Sequence, residues 1–255
     1  MKLAIIACHV FNRELSLLAA QSASTCRVFW LEQGLHDTPA LLNRQIQDKL
    51  DEIEAYQRKT REEKGPRRLF DAVVLAYGLC SNGVVGLRAG SIPLVIPRCD
   101  DCIALFLGSQ QRYLREFHAR TGVYWYTPGW IESGATPSEA FFEEKRQHYT
   151  ALYGDENAEF LMEAETSWIK QYRHCIYIQS PALSNGDYEQ HTQDCARLFG
   201  WQYESLRGDN RLLQQLLEGQ WPEDEFLICP PGHCVQATFD QRKITAVSQQ
   251  DSPKA

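Results

Sequence analysis

Several cysteines stand directly after apolar runs that read as buried strands. Cys8 closes LAIIA (3–7), Cys80 follows AVVLAYG (72–78) by a single leucine, and Cys99 and Cys102 follow SIPLVIP (91–97). In a parallel α/β sheet the carboxyl ends of the strands form the edge at which sites assemble. Thiols from three separate strands are therefore expected within reach of one ion or cluster, whatever their separation in sequence. Thiolates select zinc, Cu(I) and iron–sulfur clusters. Each cysteine taken singly also reads as a small buried hydrophobe, so the metal reading rests on the trio Cys8, Cys80 and Cys102. Cys99 and His9 are candidate additional ligands.

Other residues at the same strand ends could contact a substrate. YGLCSNGVVGLRAG (77–90) carries Gly78, Gly83, Gly86 and Gly90, which let backbone approach a ligand and leave amides free. The spacing matches neither the dinucleotide fingerprint nor the P-loop, which argues against a nucleotide and leaves room for an anion nest. Tyr77, Gly78, Asn82, Arg98 and Asp101 are candidate substrate contacts, as are His36, after the second strand, and His233 in CPPGHC (229–234). The Pro-Pro-Gly of that last motif fixes a turn. A redox role for the Cys99–Cys102 pair is opposed by Asp100 and Asp101, whose charges destabilise a thiolate. YWYTPGW (124–130) suits ring stacking or core packing. GxSxG and HExxH motifs are absent.

The elements that must position these residues follow from periodicity. Buried runs at 3–7, 26–31, 72–78, 91–97, 123–127, 175–179, 201–206 and 225–230 predict strands. Leu42, Ile46, Leu50 and Ile53 recur at helical spacing and predict a helix from Leu41 to about Arg58, followed by a solvated charged loop to Arg68 that breaks at Gly65-Pro66. Helices are also expected through Ile103, Leu107 and Leu114, over 136–170 in two pieces parted at Gly154, over 188–199 and over 210–217. Alternation of strand and helix implies parallel sheets with right-handed crossovers. The expected architecture is α/β: two Rossmann-like parallel-sheet half-domains packed together, an N-terminal half with the cysteine site (1–130), bridging helices (131–170), a C-terminal half (171–247) and a disordered tail (248–255).

The chain has 255 residues and a formal charge of −7, from 26 basic and 33 acidic residues. That balance gives no electrostatic footprint for nucleic acid or an anionic membrane. Neither a membrane span nor a signal peptide is evident, and nine cysteines, an odd number, suit a cytoplasmic protein whose thiols are ligands or core residues.

YGLCSNGVVGL, IPRCDDCIALFLGS, YWYTPGWIE and FLICPPGH resemble the signature segments of a prokaryotic family, domain of unknown function sixteen thirty-eight, along nearly the whole chain. The resemblance implies a small residue at position 99 and histidine at position 100. Cys99-Asp100 departs from that form and leaves Cys8, Cys80 and Cys102 as the shared set. The resemblance also implies an association with corrinoid methyl-transfer systems. By analogy the trio is similar to cluster enzymes such as quinolinate synthase and the desulfidases, in which three thiolates hold a four-iron cluster with one iron open to substrate. The leading expectation is thus a 4Fe–4S cluster acting on a small molecule as a lyase, desulfidase or methyl-transfer enzyme. The alternatives are a metal or corrinoid chaperone module serving a methyltransferase, or a structural zinc site.

Overall fold

The computed structural model describes residues 1–65, 68–133, 136–183 and 186–249. In chain order the elements are β1 (Lys2–Cys8), α1 (Asn12–Gln21), β2 (Thr25–Leu31), α2 (Pro39–Lys64), β3 (Ala72–Ala76), β4 (Leu94–Pro97), α3 (Cys102–Phe106), α4 (Gln110–His118), β5 (Val123–Tyr126) and α5 (Pro128–Ser133). They continue with α6 (Glu139–Tyr153), α7 (Asp155–Thr166), β6 (His174–Gln179), α8 (Gly186–Phe199), β7 (Gln202–Arg207), α9 (Arg211–Glu218), β8 (Phe226–Cys229), β9 (His233–Ala237) and β10 (Ile244–Ser248). The chain divides into two compact units, the first Met1–Arg112 with Asp209–Ala255, the second Tyr113–Gly208.

The first unit is built on a five-stranded sheet in the order β2-β1-β3-β4-β8. β1 runs parallel to β2 and β3, and β3 parallel to β4. Leu3 to Ala7 and all of β3 are buried, as strands covered on both faces must be. α2 buries Leu42, Ile46, Leu50 and Ile53, the residues whose spacing predicted it. It runs past Arg58 to Lys64, so most of the charged stretch expected as a loop forms its last turns; Gly65 ends it at φ 84°. Pro66 and Arg67 lie outside the described residues. α9 buries Leu212, Leu213, Leu216 and Leu217. The helix expected through Ile103 and Leu114 is two helices, because Gly108 between them adopts φ 70° and a Cβ there would meet Asp209 at 2.8 Å.

The second unit holds a three-stranded parallel sheet, β5-β6-β7, around a core of Tyr126, Cys175, Tyr177, Cys195, Ala196 and Trp201. α6 and α7 belong to this unit rather than forming a bridge of their own, and they part at Gly154 as the sequence suggests. Ser138 caps α6 by accepting from the Phe141 amide at 3.2 Å.

Two strands are exchanged relative to expectation. VYWYT, expected to close the first half, begins the second sheet as β5, and EFLICP, expected to close the second half, edges the first sheet as β8, antiparallel to β4. The cause is that Asp209 and Arg211 return the chain to the first unit. The Asp209 amide donates to the Phe106 carbonyl at 2.9 Å, and the Arg211 guanidinium grips the Gly108 carbonyl and the Glu225 carboxylate. A strand reached this way is not bound by the geometry of a βαβ crossover. Five strands with one antiparallel edge and three parallel strands are therefore the α/β framework, in place of two matching Rossmann-like halves. Of the expected tail, Ser248 ends β10 and the Gln249 amide donates to the Gly232 carbonyl; the remainder lies outside the described residues. No helix among the described residues is long and apolar enough to cross a membrane.

Candidate functional site

The strand order of the first sheet reverses between β1 and β3, because β2 lies on one side of β1 and β3 on the other. The crevice beyond the carboxyl ends at such a reversal is where open α/β sheets place ligands. Ala7 is level with Ala76, so the next residues, Cys8 and Tyr77, leave their strands side by side at that crevice.

Cys80 and Cys102 are brought to the same place by backbone stitching of the loops after β3 and β4. The Leu79 amide donates to the Cys99 carbonyl at 2.7 Å and the Cys80 amide to the Asp100 carbonyl at 2.9 Å. Gly78 permits this approach, since a Cβ there would lie 2.6 Å from the backbone of Asp101. Asp101 accepts from the Ile103 amide at 2.9 Å and so starts α3, whose first residue is Cys102. Cys80, Ser81 and Asn82 all adopt left-handed backbone, at φ 45°, 58° and 65°. For Cys80 and Ser81 that conformation costs roughly 1–2 kcal/mol each, whereas asparagine adopts it readily, and such strain clusters at functional sites.

The three thiols act on one another. Burial pushes Cys80 up to about 12, with Asp101 and then Cys8 adding to the effect. Cys102 is raised by burial, then by Cys80, Asp101 and Cys8. Cys8 is raised by burial against the opposing pull of the Val10 amide and the Tyr77 hydroxyl. Tyr77 is raised as well, by burial and then by Cys8 and Cys80. Its buried hydroxyl faces the thiols and acts on Cys8, with no partner outside that group. Among the described residues, no three His, Cys, Asp or Glu side chains are already drawn up around a single point as an ion would hold them. The trio is a convergence of protonated thiols, and a metal would have to displace their protons.

The remaining predicted residues separate into those near this crevice and those committed elsewhere. Asn82 is exposed on the left-handed turn, and Gly78 and Asp101 position Cys80 and Cys102. Cys99 is buried with Asp101, Asp100, Glu225 and Lys243 as the charges that act on it most. Arg98, expected to contact a substrate, is instead a structural bracket: its Nε donates to the carbonyls of Glu223 and Phe226 at 2.8 and 3.2 Å, and its Nη1 to those of Arg242 and Ile244. His9 lies edge-on to Trp30 at 5.8 Å. His36 sits in a short 3-10 turn 3.4 Å from Asp37. The His233 ring lies 3.1 Å from the Pro231 carbonyl, and its amide donates to Pro230 at 3.2 Å, which makes CPPGHC a self-closed turn.

Two features escaped sequence reasoning. Asp100 is pinned by Lys243 and by Gln110, whose Nε2 donates to it at 2.6 Å while its Oε1 accepts the Asp100 amide at 2.9 Å. The left-handed triplet had a partial signal, the Asn82-Gly83 dipeptide of a turn; nothing in the sequence marked Cys80 itself.

The family model for protein of unknown function (DUF1638) matches residues 30–217. The chain belongs to the DUF1638 family. The DUF1638 match contains Tyr77, Cys80, Cys99 and Cys102, while Cys8 and the CPPGHC turn lie outside it. No curated protein and no solved structure matches the chain.

Proposed function

We propose that Cys8, Cys80 and Cys102 bind a metal centre, foremost a 4Fe–4S cluster, and that the crevice beside Tyr77 receives a small-molecule substrate. The observation that carries this reading is the meeting, at the β1/β3 reversal, of three mutually acting thiols and a buried tyrosine hydroxyl that acts only on those thiols. The donor set fits soft metals, and three thiolates leave one iron of a cuboidal cluster open as a Lewis acid. This chain's own residues would contribute the ligands, the rigid Gly78–Asp101 contact that sets two of them, and a neutral phenol able to donate a hydrogen bond to a bound group. Cys99 is acted on most by Asp101, Asp100, Glu225 and Lys243 rather than by the three thiols, which does not favour closure of a four-thiolate zinc site.

The test is substitution with the visible spectrum and metal content as readout, in protein prepared without oxygen. Cys80→Ala is expected to lose the bound metal while the chain stays folded. Cys26→Ala, a half-buried thiol on β2 whose Sγ lies 3.6 Å from the Ser24 carbonyl, is expected to keep it. Retention of wild-type metal content by Cys80→Ala would refute the ligand assignment.

A further inference from the structure

A second recess lies wholly within the second unit, at the amino ends of its strands. It is a cavity of about 560 Å³ whose walls come from Lys170–His174 without Gln171, from Phe199–Gln202, and from Thr121 and Ile169. That volume suits a small organic molecule. Its mouth is held by backbone bonds between the segments that precede β5, β6 and β7. The Arg173 and His174 amides donate to the Gly122 carbonyl at 2.8 and 3.0 Å, and the Gln202 amide donates to the Arg173 carbonyl at 2.8 Å. Gly122, at φ 67°, allows the close approach, since a Cβ there would meet the Gln171 carbonyl at 2.3 Å.

The lining combines two chemistries. Tyr172, Phe199 and Trp201 are the margin of the unit's aromatic core, with Phe199 and Trp201 at 4.8 Å and Tyr172 and Trp201 at 5.8 Å between ring centroids. Tyr172 and Phe199 are half-buried and so keep ring surface toward solvent. Beside them stand Lys170 and Arg173, both exposed, with no side-chain hydrogen bond or ion pair among the described residues. No carboxylate lines the recess. Glu204, which pairs with the lining residue His174 at 3.5 Å from its Nδ1, is already committed to Arg120 at 2.8 and 2.6 Å. In a chain of net charge −7, a fixed recess with two unspent cations and a ring-lined wall selects negative charge joined to a flat ring. Guanidinium and aromatic faces both complement such a ligand.

We infer that this recess is a binding site for a small organic anion bearing a planar ring, the chemistry shared by nucleoside phosphates and aromatic carboxylates. It is independent of the thiol centre, because every lining residue lies in the second unit. The experiment is calorimetric titration of the full chain with adenosine monophosphate and with 1-naphthoate, with adenosine and inorganic phosphate as half-ligands.

At least one ring anion is expected to bind about tenfold tighter than either half-ligand, and which one binds identifies the source, phosphate or carboxylate. Lys170→Gln with Arg173→Gln, both at exposed positions, is expected to weaken that binding about tenfold or more, as loss of charge-assisted contacts does. Phe199→Leu is expected to weaken the ring anion and leave phosphate unchanged. Equal binding of ring anion and half-ligand, or unchanged affinity in the double variant, would overturn the assignment.

Discussion

The two units each bury a pair or trio of thiols beside a tyrosine, and only one of these groups has the makings of a site. In the second unit Cys175 lies within β6 and Cys195 on α8, and Tyr126 is raised by burial and then by Cys195. There each of the three groups has a partner outside the cluster: the Tyr126 hydroxyl donates to the Pro137 carbonyl at 3.2 Å, the Cys175 thiol to the Thr192 carbonyl at 3.7 Å, and Cys195 meets His191 Nε2 at 3.6 Å. In the first unit the thiols stand at or beyond strand ends, one of them on left-handed backbone, and the Tyr77 hydroxyl acts only on those thiols. Burial of a thiol is therefore uninformative by itself. Position at the carboxyl edge, together with polar groups that act only on one another, distinguishes the proposed site from a core.

The sharpest break of this comparison is metal content. Cys102→Ala is expected to abolish metal binding, whereas Cys175→Ala is expected to retain it in full; elemental analysis of both proteins decides, and equal loss in the two would erase the distinction. Next in size is Gly78→Ala. Its Cβ would collide with the Asp101 backbone at 2.6 Å, and overpacking of that kind costs about 3 kcal/mol. A lowered urea midpoint at unchanged slope would record it.

The two tyrosines offer a finer contrast. Tyr126→Phe removes a buried hydrogen bond to a carbonyl and is expected to cost about 1 kcal/mol, while Tyr77→Phe removes a hydroxyl that acts only on thiols, weak acceptors, and is expected to cost less. Denaturant titration of the metal-free proteins measures both. The smallest effect concerns Glu204, whose carboxyl is held below its ordinary range by the hydrogen bond from Arg120. A depressed folded value adds stability that is complete above the unfolded carboxylate value and disappears as pH falls through the folded one. Glu204 is partly exposed, so Glu204→Gln is expected to cost about 0.5–1 kcal/mol at pH 7 and nothing near pH 2. Parallel melts at the two pH values test this.

The legible part of the molecule was the part written in periodicity. LAIIA, AVVLAYG and SIPLVIP announce buried strands, and strand ends then locate Cys8, Cys80 and Cys102 without knowledge of any contact. Leu42, Ile46, Leu50 and Ile53 announce α2 in the same way. What stayed hidden depends on direction and on backbone partners. FLIC is a continuous apolar run with no mark of orientation, so its antiparallel place beside β4 could not be read, nor could its exchange with VYWYT. Arg98 resembles an anion ligand in sequence because its real partners are carbonyl groups from 125 to 146 residues away, which no side-chain pattern records. Cys99 sits in the same motif as Cys102 and shares Asp101 with it, but is also acted on by Asp100, Glu225 and Lys243 rather than by the other thiols.

The central claim is that the three thiols at the β1/β3 reversal form a metal centre, and its most direct test is the metal and acid-labile sulfide content of the unmodified chain purified without oxygen. About four iron and four sulfide per chain, with a broad visible absorption, is the predicted result. Protein that takes up neither iron nor another thiophilic metal, even after anaerobic reconstitution, would contradict the claim and return Cys8, Cys80 and Cys102 to the core.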